Sequence, residues 1–319
     1  MTLKCAVIDD YQEASRRFGG WDYVADQVEL SVFTDHLDDE DAVAARLAGF
    51  DVLVIMRERT PFPASLLKRL PNLKLLITSG MRNAAIDLVA ARALGVTVCG
   101  TASNSQPPAE LTWALILGLA RHLTVETTAF RSNGRWQQTV GMDLHGATLG
   151  LLGLGKIGSQ IAQVGMAFGM DVVAWSANLT AERAAAAGVR LAASKDELLA
   201  EADIVSLHLV LGERTRDLVG ERELALMKPS SYLINTSRAG LVDQAALVSA
   251  LAERRIAGAG LDVFDAEPLP HDSPFRDLPN VLATPHLGYV TDRNYRGYFE
   301  QAVEDIQALL EGAPIRVLN

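Results

Sequence analysis

Arg238, Glu267 and His286 each follow a strand-like apolar run: "YLINTS", "GLDVFDA" and "NVLATP", respectively. Singly they read as a surface arginine, a solvated glutamate and a loop histidine. Together they carry the groups that reduction of a 2-keto acid requires. A hydride added to the carbonyl carbon must be matched by a proton on the oxygen, from an acid with a pKa near neutral. Histidine suits that task, and a carboxylate bonded to its far ring nitrogen fixes the tautomer and favours the imidazolium. Glu267 can do this for His286. The planar fork of arginine matches a carboxylate or a polarised carbonyl, which gives Arg238 the substrate.

A second chemical signal is "TLGLLGLGKIGSQIA", in which Gly153, Gly155 and Gly158 separate a strand from an amphipathic helix. In such a turn the first glycine permits the tight bend, the second lets backbone approach a pyrophosphate, and the third lets helix pack on strand. The helix then offers free N–H groups and its positive end to the phosphates. The next strand, "DVVAWS", ends at the spacing where an acid would hold the adenosine ribose of NAD, but the residues there are Ser176, Ala177 and Asn178. Without that acid a 2′-phosphate is not repelled. No arginine adjoins Ser176, and the nearest, Arg183, is expected on the following helix with its guanidinium in water. The cofactor reading is NAD(H) or NADP(H), with NAD favoured and no metal.

These residues need strands and helices to position them. Short β-branched or leucine-rich runs alternate with stretches of helical period, the signature of an α/β protein with parallel sheets. "KCAVID", "DVLVIM", "LKLLIT" and "VTVC" read as the strands of a small sheet, with "NAAIDLVAARAL" helical. After the proline-bearing linker "GTASNSQPPAE", six more strand-like runs, from "TLGLLG" to "NVLATP", have the spacing of a larger doubly wound sheet. The tail from Asn294 is an amphipathic helix, after which "IRVLN" returns to the first domain. The expected division is a smaller, flavodoxin-like substrate domain of residues 1–101 and 287–319, and a Rossmann coenzyme domain of residues 102–286.

Composition excludes other classes. The 319 residues are 49% hydrophobic, enough for large cores, and the net charge is −10. Such acidity argues against nucleic acid or an anionic membrane as partner. "LTWALILGLA" is too short to span a bilayer, and the start "MTLKCAVIDD" lacks the apolar core of a secretory signal. Cys5 and Cys99 lie in strand-like runs and read as buried hydrophobes. The cytoplasm is the expected compartment.

In order along the chain, "LGLLGLGKIG", "ALMKPSSYLINTSRAGLVDQAALVSAL", "GAGLDVFDAEPLP" and "NVLATPHLGY" cover most of Thr148 to Tyr289. In these segments the chain resembles the D-isomer-specific 2-hydroxyacid dehydrogenases. The resemblance implies that Arg238, Glu267 and His286 are the catalytic set and that the substrate is a small anionic 2-keto or D-2-hydroxy acid. It places Lys156 and Ile157 at the pyrophosphate, Ser176 or Asn178 at the ribose, and His208 beside the dinucleotide. Thr236, Arg238, His286 and Gly288 would lie near the nicotinamide, with Asp262 bonded to its carboxamide; the alternative for Asp262 is a strand-end cap.

In the first domain "ITSGMRNAAIDL" is similar to the family's substrate loop, so backbone at Gly80 and Met81 should meet the substrate carboxylate. Arg57 and Arg82 read either as solvated surface arginines or as receptors for a second anionic group. Asn104 and Glu110 fall in the family's "N…AE" hinge pattern. One long helix from Glu110 through Phe130, with "NGRWQ" after it, resembles the family's dimer contact, which predicts a homodimer through the coenzyme domain. Two departures concern the cofactor: the missing ribose acid, and "HLVLGERT" in place of the usual proline-containing loop. The chain ends soon after the family's core, so no C-terminal regulatory domain is expected. The family also includes NAD(H)-binding corepressors, which makes a dinucleotide-sensing binding protein the alternative to an enzyme.

Overall fold

Four apolar runs of the first third form neighbouring parallel strands, and a fifth joins them at one edge. They are β1 (Leu3–Val7), β2 (Val28–Val32), β3 (Val52–Ile55), β4 (Leu75–Thr78) and β5 (Thr97–Gly100), in the order β2-β1-β3-β4-β5. The computed structural model describes residues 2–319, which divide into two compact units, 2–104 with 290–319, and 105–289. Every residue of β3 and β4 is buried, as expected where helices cover both faces of a parallel sheet. The edge strand β2 escapes sequence reading because "VELSV" buries only its first residue and so carries no apolar run.

The helix Asp292–Leu310 completes this first unit, capped by Thr291 and burying Tyr295, Tyr298, Phe299, Val303 and Ile306 on one face. The last residues then run antiparallel to β5, through Gly100 N–H to Arg316 O at 3.1 Å and Leu318 N–H to Val98 O at 2.8 Å. Arg316 secures the segment by donating to Asp305 Oδ1 (3.0 Å), Glu304 Oε2 (2.8 Å) and the Gln301 carbonyl (2.8 Å). Asp305 has no exposed surface, and its Oδ2 has no hydrogen-bond partner among the described residues. Burial pushes its carboxyl up to about 7, against the opposing pull of Arg316.

The second unit is a seven-stranded parallel sheet. Its strands are β6 (Thr148–Leu152), β7 (Asp171–Trp175), β8 (Arg190–Leu191), β9 (Ile204–Leu207), β10 (Tyr232–Asn235), β11 (Gly258–Leu261) and β12 (Val281–Ala283), in the order β12-β11-β10-β9-β6-β7-β8. Alternate residues serve opposite faces. Leu152, Val173, Val205 and Leu233 enter one core, while Leu151, Val172, Ile204 and Ile234 enter the other. β8 is two exposed residues at the edge, too short and too polar to be read from sequence.

The single helix expected from Glu110 through Phe130 is instead two, Gln106–Ala120 and Leu123–Arg131. Arg121 and His122 close the first, with His122 at a left-handed φ of 49°, and the freed Ala120 carbonyl accepts from the Met142 amide at 2.9 Å. "NAAIDLVAARAL" is helical only over Leu88–Ala93, because the Asp87 side chain caps the helix by accepting from Ala90 N–H. Among the described residues no helix is long and apolar enough to cross a membrane.

The buried carboxyl of Asp305 makes a pH prediction. Its folded-state pKa lies above the unfolded value of about 4, so its contribution to stability is fully present below that value and is lost as pH rises through about 7. Asp305→Asn retains an acceptor for Arg316 but cannot ionise. Relative to wild type, the variant's melting temperature should rise between pH about 4 and about 8; a pH-independent difference would contradict this.

Candidate active site

The glycine turn closes β6. Gly153 donates to the Trp175 carbonyl at 2.9 Å, which fastens the turn to the end of β7, and it holds φ at +107°. A Cβ there would lie 2.5 Å from the His208 carbonyl oxygen, and one on Gly158 would strike the Gly153 carbonyl. Gly155 differs, since a Cβ built on it meets nothing within 4 Å. It precedes the helix Lys156–Ala167, whose first turn has no side-chain cap. The packing therefore demands glycine at two positions and leaves open space at the third, above uncapped amides, which fits the pyrophosphate of a dinucleotide. Lys156 is exposed and Ile157 half-buried beside it.

His208, just after β9, packs its carbonyl against Gly153 and donates its own amide to Leu152 O at 2.8 Å. Its Nε2 shares a hydrogen bond of 2.9 Å with Ser206 Oγ, and burial pushes the ring down to about 4, so it stays neutral at ordinary pH. At the end of β7, Ser176 is half-buried and Asn178 exposed.

The other polar groups gather at the carboxyl ends of adjacent strands. Register sets this: Asn235 pairs with Leu261, and Leu261 with Ala283, so Thr236, Asp262 and Thr284 follow side by side. Asp262 is fully buried. Its Oδ1 accepts from Thr284 Oγ1 (2.6 Å) and Leu287 N–H (2.7 Å), and its Oδ2 from Gly288 N–H (2.8 Å). Burial holds its carboxyl above the usual range despite these donors. Between the anchored residues, His286 stands at a left-handed φ of 54° and points Nδ1 at Glu267 Oε2, 2.6 Å away. The other oxygen of Glu267 accepts from the Phe264 amide at 2.8 Å, and the Tyr289 ring lies edge-on to the imidazole, 5.4 Å between centroids.

Arg238 is half-buried in extended backbone after β10. Its Nη1 donates to Ser237 O at 2.8 Å, and its own carbonyl accepts from Asn235 Nδ2 at 2.9 Å. Thr236 and Thr112 share a hydrogen bond of 2.7 Å, and Thr112 also donates to Pro108 O at 2.7 Å. A hydroxyl has one proton, so Thr236 is the donor to Thr112 and retains only acceptor capacity.

In the first unit, Gly80 follows β4 at φ +97° and its amide donates to Thr101 Oγ1 at 3.2 Å, so that amide is already engaged. The Arg57 guanidinium covers the position a Gly80 side chain would occupy, and Arg57 N–H donates to Ser79 Oγ at 2.9 Å. Met81 is 45% exposed and Arg82 also points to solvent. Arg57 is thus gathered at the loop, and Arg82 is not. Asn104 donates through its amide and side chain to Asn294 Oδ1, both at 3.1 Å, while Glu110 is exposed.

Sequence reasoning missed several supporting residues. Thr284, Thr112 and the Phe264 amide orient others through bonds across strands, and no local spacing marks them. Ser159 and Gln163, one helical turn apart, do have such a signal: they line a cavity of about 360 Å³ beside Leu154 and Arg183.

Residues 113–288 match the family model described as D-isomer specific 2-hydroxyacid dehydrogenase, NAD binding domain. The chain is 35% identical to a D-3-phosphoglycerate dehydrogenase of Methanocaldococcus jannaschii over 86% of its own length but only 52% of that protein's, so it spans about half of that relative. It is also 35% identical to a hydroxypyruvate reductase of Thermotoga maritima, covering 87% of this chain and 90% of the other. Among solved structures, a phosphoglycerate oxidoreductase from Vibrio cholerae O395 superposes with a TM-score of 0.93 at 40% identity, over 98% of this chain and 100% of that one.

The glycine geometry separates folding from ligand binding. Gly158→Ala should lower the melting temperature, because its Cβ meets rigid backbone. Gly155→Ala should melt near wild type yet bind a nicotinamide dinucleotide at least about tenfold more weakly, measured by fluorescence titration. Equal affinity in Gly155→Ala would contradict the assignment of this space to phosphate.

Proposed function

The chain belongs to the D-isomer-specific 2-hydroxyacid dehydrogenases, and on that premise we propose that it transfers a hydride between NAD(P)(H) and a small D-2-hydroxy or 2-keto acid, with His286 as general acid and base. The observation that carries this reading is the 2.6 Å contact between His286 Nδ1 and Glu267 Oε2. A carboxylate on Nδ1 fixes the tautomer and leaves Nε2 to exchange a proton with the substrate oxygen.

A bound nicotinamide dinucleotide supplies or accepts the hydride. The turn from Gly153 to Gly158 holds its pyrophosphate, with Lys156 and Ile157 at the same place. Thr236, an acceptor only, and Asp262, with acceptor capacity left on Oδ2, orient the nicotinamide carboxamide, and so set which ring face meets the substrate. Arg238 holds the substrate carboxylate and polarises its carbonyl. In reduction His286 gives its Nε2 proton to the carbonyl oxygen; in oxidation it takes the hydroxyl proton. Glu267 offsets the charge of the ring when both nitrogens are protonated, and its bond to the Phe264 amide keeps it aimed.

We further propose a homodimer through the coenzyme unit. Phe130, Trp136 and Val140 are 70%, 76% and 93% exposed, and the first two rings lie 6.3 Å apart. Large apolar side chains exposed together mark an interaction surface. Trp136→Asp should shift the sedimentation coefficient from dimer to monomer; an unchanged value would remove this face from the interface.

The reading is tested by incubating the protein with NADH or NADPH and a panel of 2-keto acids. Turnover of at least one is expected, and His286→Ala should lower kcat by about 10²–10⁴ while leaving dinucleotide affinity within about twofold. Glu267→Gln should cause a smaller fall in kcat, again without loss of dinucleotide binding. No turnover on any acid, with dinucleotide binding retained, would overturn the dehydrogenase reading in favour of a binding protein.

A further inference from the structure

The cavity of about 360 Å³ lies between the helices Lys156–Ala167 and Ala181–Ala186. Its volume is within the range of small-molecule sites. Leu154 reaches it from the glycine turn, Ser159 and Gln163 from the first helix and Arg183 from the second, over small Ala186 and Ala187. Among the described residues, the side chains of Ser159, Gln163 and Arg183 make no hydrogen bond or ion pair. One cation and two neutral polar groups therefore converge on one space with their donors unspent. No carboxylate lines it. The nearest acid in sequence, Glu182, is directed elsewhere: hydrogen bonds from its own amide and from Thr180 hold its carboxyl below the usual range.

The position relative to the glycine turn identifies the ligand. Gly153 N–H bonds the Trp175 carbonyl, so Leu154 and Ser176 flank the same corner, where the adenosine ribose of a dinucleotide meets the end of β7. Ser176 and Asn178 also make no side-chain hydrogen bond among the described residues, and neither carries a charge. Leu154 links that corner to the space lined by Arg183, and a guanidinium there with no acid in the lining can receive a phosphomonoester.

Building on the dinucleotide reading above, we propose that Arg183, with Ser159 and Gln163, binds the 2′-phosphate of NADP(H), so that the protein selects NADP(H) over NAD(H). This reverses the preference that the sequence reading favoured. Arg183 is exposed, as that reading expected, and lines an open groove between the two helices.

Calorimetric titration of the full chain with adenosine 2′,5′-bisphosphate, adenosine 3′,5′-bisphosphate and 5′-AMP tests this without turnover. The 2′,5′-bisphosphate should bind at least about tenfold tighter than either other nucleotide. Arg183→Ala should abolish that advantage and leave 5′-AMP affinity unchanged. Ser176→Asp, which restores an acid at the ribose, should abolish it independently. Equal binding of the two bisphosphates would make the cavity an undiscriminating anion site, and an advantage that survives Arg183→Ala would remove the arginine; either overturns the proposal. If all three nucleotides bind equally while a 2-keto acid is still reduced, the 2′-phosphate assignment fails alone. If none binds, the dinucleotide reading fails with it.

Discussion

Asp262 has no exposed surface, and an ion so placed persists only when its oxygens are supplied with donors. Thr284 Oγ1 and the amides of Leu287 and Gly288 supply them, and in doing so they fix the segment on both sides of His286. The histidine backbone is held in the left-handed region, which a residue with a side chain adopts at some cost. The three bonds to Asp262 over-determine that conformation. With the backbone fixed, the imidazole has its Nδ1 at Glu267, and the other oxygen of Glu267 is pinned by Phe264. A buried carboxylate thereby fixes the backbone that aims His286 at Glu267.

Topology explains why so many polar groups share this edge. Parallel strands all end on the same side, and the strand order reverses between β6 and β9. A crevice outside the carboxyl ends forms at such a reversal. The glycine turn leaves β6 on one flank and His208 leaves β9 on the other, close enough that only glycine fits at 153. Successive neighbours β10, β11 and β12 then bring Thr236, Asp262 and Thr284 into line. Polar residues that follow separate strands come together because the sheet aligns the ends of those strands.

Legibility followed burial. Strands with continuous apolar runs, such as "VLVI" and "LLIT", were readable because both faces are covered. The edge strands β2 and β8 were not, because an edge has less apolar surface to bury and need not show it. The helix break at His122 was hidden for a related reason: the apolar period continues across it, and only a carbonyl bonded to Met142 reveals the end. At the site, Arg238, Glu267, His286 and the glycine turn stood out by residue type and position after strands. Thr112, Thr284, Ser159 and Gln163 are common polar residues whose roles depend on what faces them.

The sequence by itself determined the class of fold, the family, and the residue types that a hydride-transfer site needs, because period, glycine spacing and strand-end chemistry are local properties. Only the tertiary structure decided the pairings. Glu267 and His286 are 19 residues apart and meet because adjacent parallel strands end together. Asp262 became a clamp as well as an acceptor once its donors were in place. Arg183, a surface arginine in the one-dimensional chain, shares a cavity with Ser159 and Gln163 because two helices pack on the same face of the sheet. Such contacts join residues far apart in the chain, and no local pattern encodes which partner the fold brings.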